Sequence, residues 1–399
     1  MNYIFNNKEY KNKLLERFLT YVKIWTESDG QAAERGEFPS TKRQFELARL
    51  LESQLKELGL QEVQVTQDCY VYGYLPGSPE PASGGPEPVE GQILLLAHMD
   101  TVDEVSGKDV KPQLEETDDD TIIRSDGTTL LGGDDKAGVS AIMECLEYFA
   151  EHPELPHGPV EVLFSPDEET GHGMDRVPLK LIKSKSAYTV DGGALGEMET
   201  ECFNAWACTA DFYGKACHTG DAKALGMVNA ALMAGDFVSK LPHDKLPETT
   251  EGLEGFIALM EITGTIEKAT AQFLLRAFNI EEIEAEKRLF ERNANEIMKK
   301  YGGKVELSFK QQYLNMKDTL DKHPDVVKRL EKAYEAAGVQ IIRKPIRGGT
   351  DGSRLTEMGI PTPNIFTGGH EFHSRNEWVS LNSMCKAADV LINLLSGDI

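Results

Sequence analysis

The chain has 399 residues, 42 Lys+Arg against 66 Asp+Glu, and a formal net charge of -24, a balance that repels phosphate backbones and anionic membrane surfaces. Hydrophobic residues make up 40% and charged residues 27%, an ordinary globular composition in a chain long enough for two domains. Nucleic-acid and membrane partners are therefore not expected.

In chain order, a charge-rich helix is predicted from about Tyr10 to Trp25, with no apolar leader before it. A second helix opens with Ser40-Thr41 as N-cap and stops at Gly59. VQVTQDCYVYGYL alternates like a strand, and PGSPEPASGGPEPVEG reads as a surface loop. Apolar strand runs follow at Ile93–Ala97, Val160–Phe164 and Ala187–Val190, with an apolar helix over Ala137–Phe149 between the first two. Such runs alternating with helices predict an α/β fold: a central, mostly parallel sheet covered by helices on both faces.

After Asp191-Gly192-Gly193 the pattern changes. Alternating strands at Ala205–Tyr213 and Ile257–Phe278, helices near Met227–Lys240 and Glu281–Lys300, and a strand at Lys304–Gln312 predict an inserted α+β domain over 203–316, an antiparallel sheet with two helices. Residues 317–399 return to α/β character, with a helix at Val326–Ala337, a strand near Ile341, an apolar run at Thr362–Phe366 and a final helix from Leu381. The first domain is thus expected to be discontinuous, 1–202 with 317–399. Six cysteines show no CxxC pair and no framework spacing, which points to reduced, mostly buried thiols and, with the absent leader, to the cytoplasm.

Five elements carry candidate chemistry. His98-Met99-Asp100 ends an apolar strand, where α/β sheets bind ligands; alone, it reads sooner as a structural His–Asp pair. Gly132-Gly133-Asp134-Asp135 opens a helix, so one aspartate is explained as a cap. The second is free to be aimed at a cation. Asp167-Glu168-Glu169 follows the next strand, and three consecutive acids repel unless a cation or water relieves them. One can bind a metal while another accepts a proton from water. Asp191 ends a further strand, and the C-terminal GGHEFHSRNEWV supplies His370 or His373, between which spacing does not choose. Together they form a donor set for zinc or another first-row divalent ion, with carboxylates enough for two.

HMDT, LLGGDDKAG, SPDEETG, YTVDGG, IRGGTDGSRLTEMGIPTPNIFTGG and HSRNEWVSL, with PSTKRQFELARLLESQLKELGL, ETTEGLEGF and NMKD, resemble the peptidase T family of dinuclear zinc aminopeptidases over nearly the whole chain. The resemblance implies two zinc ions per chain, with His98, Asp134, Glu169, Asp191 and His373 as ligands and Asp134 bridging. It implies that Asp100 orients His98 and that Glu168 is the general base, acting on a zinc-bridging water to free the N-terminal residue of short peptides, tripeptides above all. It assigns His218, Arg276, Asn315 and Arg347, in or beside the inserted domain, to the substrate; the discontinuous layout of the first domain suggests that the inserted domain acts as a lid. Cys217 and Thr219 depart from the family's usual residues around His218. Related amidohydrolases, aminoacylases and dipeptidases share the scaffold, and a non-catalytic peptide or metal binder is the more distant alternative. A homodimer through the inserted domain is compatible with these features without being required.

Overall fold

The computed structural model describes residues 1–78 and 91–396; most of the predicted loop over 76–91 lies outside them. Two compact units emerge: Met1–Thr200, Met316–Lys344 and Thr350–Ile399 in the first, Glu201–Asn315 and Pro345–Gly349 in the second. Residues 345–349, assigned from the sequence to the first, thus group with the second.

The first unit is built on an eight-stranded sheet whose order is Gln61–Val65, Val71–Leu75, Val160–Ser165, Ile93–His98, Ala187–Gly192, Asn364–Phe366, Glu197–Glu199 and Ile342–Arg343. Its middle is parallel: Ile93–His98 pairs in parallel with Val160–Ser165 on one side and Ala187–Gly192 on the other. The apolar runs are continuous because both faces are covered. Ile93, Leu95 and Ala97 enter the large core with the helices Lys8–Tyr21, Gly133–Glu151, Pro324–Ala336 and Leu381–Leu395. Leu94 and Leu96 point the other way, against Leu163, Leu355 and Met174, as a period of two requires. That second face is covered by the short helix Asp351–Glu357 and an irregular stretch carrying Met174, Val177 and Leu181.

Two local expectations change. VQVTQDCYVYGYL is a hairpin, Gln61–Val65 against Val71–Leu75, closed by a turn in which Thr66 N–H donates to the Tyr70 carbonyl at 2.8 Å. Ser40 is not a helix cap: the helix is Gln44–Glu57, with no side-chain cap, because the Ser40 hydroxyl and amide are both spent on Asp167.

A small sheet absent from the sequence reading joins Gly369–His370, Trp378–Ser380, Thr121–Arg124 and Gln113–Glu116. Its first two strands pair antiparallel, His370 opposite Trp378, so residues 371–377 form the loop of a hairpin. The second unit holds a four-stranded antiparallel sheet in the order Phe256–Gly264, Lys268–Ala277, Asn204–Tyr213, Lys304–Tyr313. Helices Ala230–Val238 and Ile280–Tyr301 pack on it through Phe212, Phe237, Phe273 and Phe290. Among the described residues no helix is long and apolar enough to cross a membrane.

Candidate active site

Three neighbouring strands of the first unit end in His98, Ser165 and Asp191-Gly192. Parallel strands deliver their carboxyl ends to one edge, so the segments that follow converge there. His98 is 2% exposed, and its Nε2 lies 2.9 Å from Asp134 Oδ1 and 3.5 Å from Asp191 Oδ1. On the far side, Nδ1 stands 3.4 Å from Asp100 Oδ1.

Asp134 reaches both ways. While Oδ1 faces His98, its Oδ2 lies 3.2 Å from His373 Nε2, which in turn is 3.0 Å from Glu169 Oε2. One carboxylate therefore spans two imidazoles, each with a further acid beside it. His370 is placed elsewhere, stacked on Trp378 with ring centroids 3.9 Å apart.

The two acidic runs divide their labour by hydrogen bonding. In Asp134-Asp135, the Asp135 carboxylate accepts from the backbone amides of His98 at 3.2 Å and Gly138 at 3.0 Å, the capping role that sequence reasoning allowed to one of the pair. In Asp167-Glu168-Glu169, Asp167 accepts from Ser40 N–H and Gln44 Nε2, both at 2.6 Å. Asp100 accepts from the backbone amides of Glu168 at 3.0 Å and Glu169 at 3.2 Å. The turn is thus anchored on both sides, while the Glu168 carboxylate takes part in no hydrogen bond or ion pair among the described residues.

Charge crowding dominates the electrostatics. Burial and the charge of Asp134 push Glu169 up to about 8, against the bond from His373. Burial, partly offset by His98, raises Asp191 to about 6. Burial also holds Glu168 well above the ordinary carboxyl range, opposed by His98 and reinforced by Asp191, Asp351 and Glu169. Asp134 goes the other way: burial would raise it, but bonds to His373 and His98 hold it below the usual range. Burial would lower His373, yet its bonds to Asp134 and Glu169 raise it to about 11. Each imidazole nitrogen thus faces carboxylate oxygens at close range, the arrangement in which a bound cation replaces a proton.

That donor chemistry fits metal ions. One ligand atom each from His98, Asp134 and Glu169, and likewise from His98, Asp135 and Asp191, lie within 4.8 Å of one another. Asp135 belongs to the second group by distance, but its oxygens already serve backbone amides.

The remaining sequence candidates lie in the second unit. His218 is exposed over 79% of its side chain, and its Nδ1 accepts the Gly220 amide at 3.2 Å. In the neutral ring this bond places the N–H on Nε2. Arg276 is 8% exposed and donates to the carbonyls of Trp206 at 3.2 Å and Leu275 at 3.0 Å and to Gln312 Oε1 at 2.8 Å. The Asn315 carboxamide bridges the Cys202 amide and the Phe278 carbonyl. Arg347 donates to the Gly252 and Glu254 carbonyls and to Thr250 Oγ1.

Sequence reasoning passed over Glu377, Asn364 and Asp351. Asn364 Oδ1 accepts the Asp191 amide at 3.0 Å while its Nδ2 donates to Glu199 at 2.6 Å. Asp351, 5% exposed, accepts the Ser165 hydroxyl. The one available signal was that all three lie inside motifs already singled out.

A profile of peptidase family M20/M25/M40 matches residues 94–397. A peptidase T from Clostridium perfringens is 42% identical over 409 aligned residues, covering 96% of this chain and 98% of its own. The chain belongs to the peptidase T family. It is a metal-dependent aminopeptidase within the M20 peptidases. Among solved structures, aminopeptidase PepT from Bacillus cereus aligns over 97% of this chain and 98% of its own, with a TM-score of 0.78 at 23% identity. A dinuclear metal-binding M20 peptidase from Bacillus subtilis aligns over 97% and 98%, with a TM-score of 0.68 at 16% identity. These two likenesses bear on the fold, which they share with it.

Proposed function

We propose that this aminopeptidase removes the N-terminal residue from tripeptides with two zinc ions and Glu168 as general base. The observation that carries the reading is the Glu168 carboxylate, without a hydrogen-bond or ion-pair partner among the described residues in a turn whose backbone and neighbouring acids are all tied. A protein that only binds metal or peptide has no use for such a group.

His98 and Asp191 would hold one ion, Glu169 and His373 the other, and Asp134 would serve both. Ions bound there acidify a water and polarise a peptide carbonyl. Glu168 accepts a proton from the attacking water at a carboxylate oxygen and passes it to the departing amine. Burial and the neighbouring acids favour its protonated form, which suits the step in which it holds the proton on the way to the amine. Asp100 keeps Glu168 in place through the backbone and faces His98 Nδ1, the side away from the other donors. His218, with Nε2–H exposed, would donate to the carbonyl oxygen as charge develops there.

Arg347 and Arg276 would pair with the peptide's terminal carboxylate, a bidentate contact that limits length, and Asn315 with its backbone. Each must first exchange the partners it holds in this structure. Closure of the second unit as a lid and a cytoplasmic location complete the reading, with which a homodimer is compatible. All described cysteines are free, and all but Cys217 are buried, in keeping with a reducing compartment.

Metal content by elemental analysis alongside a peptide-length series tests the core of this. Two zinc ions per chain and cleavage confined to tripeptides are expected. Exclusive cleavage of N-acyl amino acids would overturn it in favour of an amidohydrolase. Scattering that shows no compaction with a substrate analogue would remove the lid.

A further inference from the structure

The hairpin loop that carries His373 also carries Glu377, and the Glu377 carboxylate is turned inward, 1% exposed. Its Oε2 accepts the amides of Leu131 and Gly132, each at 2.8 Å, and its Oε1 accepts the amide of Asp134 at 3.0 Å. All three belong to the LLGGDD turn. Three charge-assisted bonds satisfy a buried anion without a paired cation.

The turn has little freedom around this clamp. Gly132 adopts φ +81°, and a Cβ on Gly133 would stand 2.6 Å from Val379 Cγ2 and 3.0 Å from Glu377 Oε1. Asp134 reaches both histidines only if its backbone is held at the right height. His98 is fixed independently, at the end of a strand buried on both faces. His373 is not: it sits in the loop, half exposed, at φ +57°. Loosening the clamp therefore separates Asp134 from His373 before it separates Asp134 from His98.

We propose that Glu377 is a positioning residue for the metal pair: by tying the turn of Asp134 to the loop of His373, it sets the affinity of the ion on the His373 side. This rests on the two-zinc reading above. Groups that orient metal ligands in this way are typically worth about 10–100-fold in metal affinity.

Glu377→Gln is the test, with stepwise zinc affinities measured by competition against a chromophoric chelator. Glutamine has one acceptor oxygen for three amides, so at least one of the clamp's bonds is lost. Glu161→Gln is the matched control. Glu161 is also a fully buried carboxylate accepting backbone amides, those of Lys183 and Ser184, at the far end of the strand that leads into Asp167.

The expected result is that one zinc dissociation constant rises about 10–100-fold in Glu377→Gln, the other stays unchanged, and Glu161→Gln alters neither. kcat should fall with KM for the tripeptide unchanged, and excess zinc should recover kcat. Wild-type zinc affinities in Glu377→Gln would overturn the proposal, as would equal weakening in both variants, which signals a general loss of packing. Should Glu377→Gln fail to fold, Glu377→Asp, which keeps the charge but shortens its reach, is judged by the same criteria. A wild-type protein that takes up fewer than two zinc ions refutes the two-metal reading itself; two ions in the wild type with an unaltered Glu377 variant refutes the clamp alone.

Discussion

Replacing Glu168 by glutamine should abolish turnover without dislodging metal, and the structure sets the size and sign of each effect. Among the described residues the side chain being replaced has no hydrogen bond or ion pair to lose, and the backbone amide that anchors it to Asp100 at 3.0 Å is untouched. Loss of a positioned general base costs about 10²–10⁴ in rate, so a 10³-fold fall in kcat, about 4 kcal/mol of barrier, is the central expectation. KM and zinc content should stay near wild type. Stability should not follow activity: burial and the charges of Asp191, Asp351 and Glu169 oppose ionisation of Glu168, so the neutral amide should leave the metal-free protein at least as stable. Steady-state tripeptide hydrolysis, elemental analysis and thermal unfolding with chelator read these three quantities. A kcat within about tenfold of wild type would refute the base assignment. Loss of zinc from the variant would show instead that Glu168 is a ligand.

Asp100→Asn replaces the carboxylate that faces His98 Nδ1 and accepts the Glu168 and Glu169 amides; zinc affinity by competition titration should fall about 10–100-fold. Asp167→Ala leaves the Ser40 amide, the Ser40 hydroxyl and the Gln44 carboxamide without their acceptor. A loss of about 2–4 kcal/mol in urea unfolding is expected, and one below about 1 kcal/mol would show that water replaces Asp167. Glu199 is raised to about 8 by burial, against its bond from Asn364. A carboxyl raised in the folded state favours folding below its unfolded pKa and loses that contribution as pH rises towards about 8. Glu199→Gln should therefore gain stability relative to wild type as pH rises from 4.5 to about 8 in thermal melts, and an unchanged pH slope over that range would refute burial as the cause.

Each metal-site candidate was legible because it stands where a strand or a glycine turn ends, a local property of the chain. His98 and Asp191 follow apolar runs whose period reveals a buried strand, and parallel neighbours then share an edge by rule. Division of labour within the acidic runs was not legible. Whether Asp134 or Asp135 faces the histidines, and which of Asp167, Glu168 and Glu169 stays free, depends on acceptors and donors far along the chain, such as Ser40, 127 residues from Asp167, and Glu377, 243 residues from Asp134. Resemblance supplied those choices before any geometry did.

The C-terminal histidines show the same boundary. Spacing left His370 and His373 equivalent. Pairing of Gly369–His370 with Trp378–Ser380 puts His370 on the Trp378 ring and lifts His373 into the loop, and that pairing is held by Thr121–Arg124, far away in sequence. Composition, periodicity and turn chemistry, all local, determined the α/β class, the inserted antiparallel unit and the acid-rich strand ends. The tertiary structure alone decided which buried carboxylate spends its oxygens on backbone amides and which keeps them, because a hydrogen bond between distant segments exists only once the chain has brought donor and acceptor together.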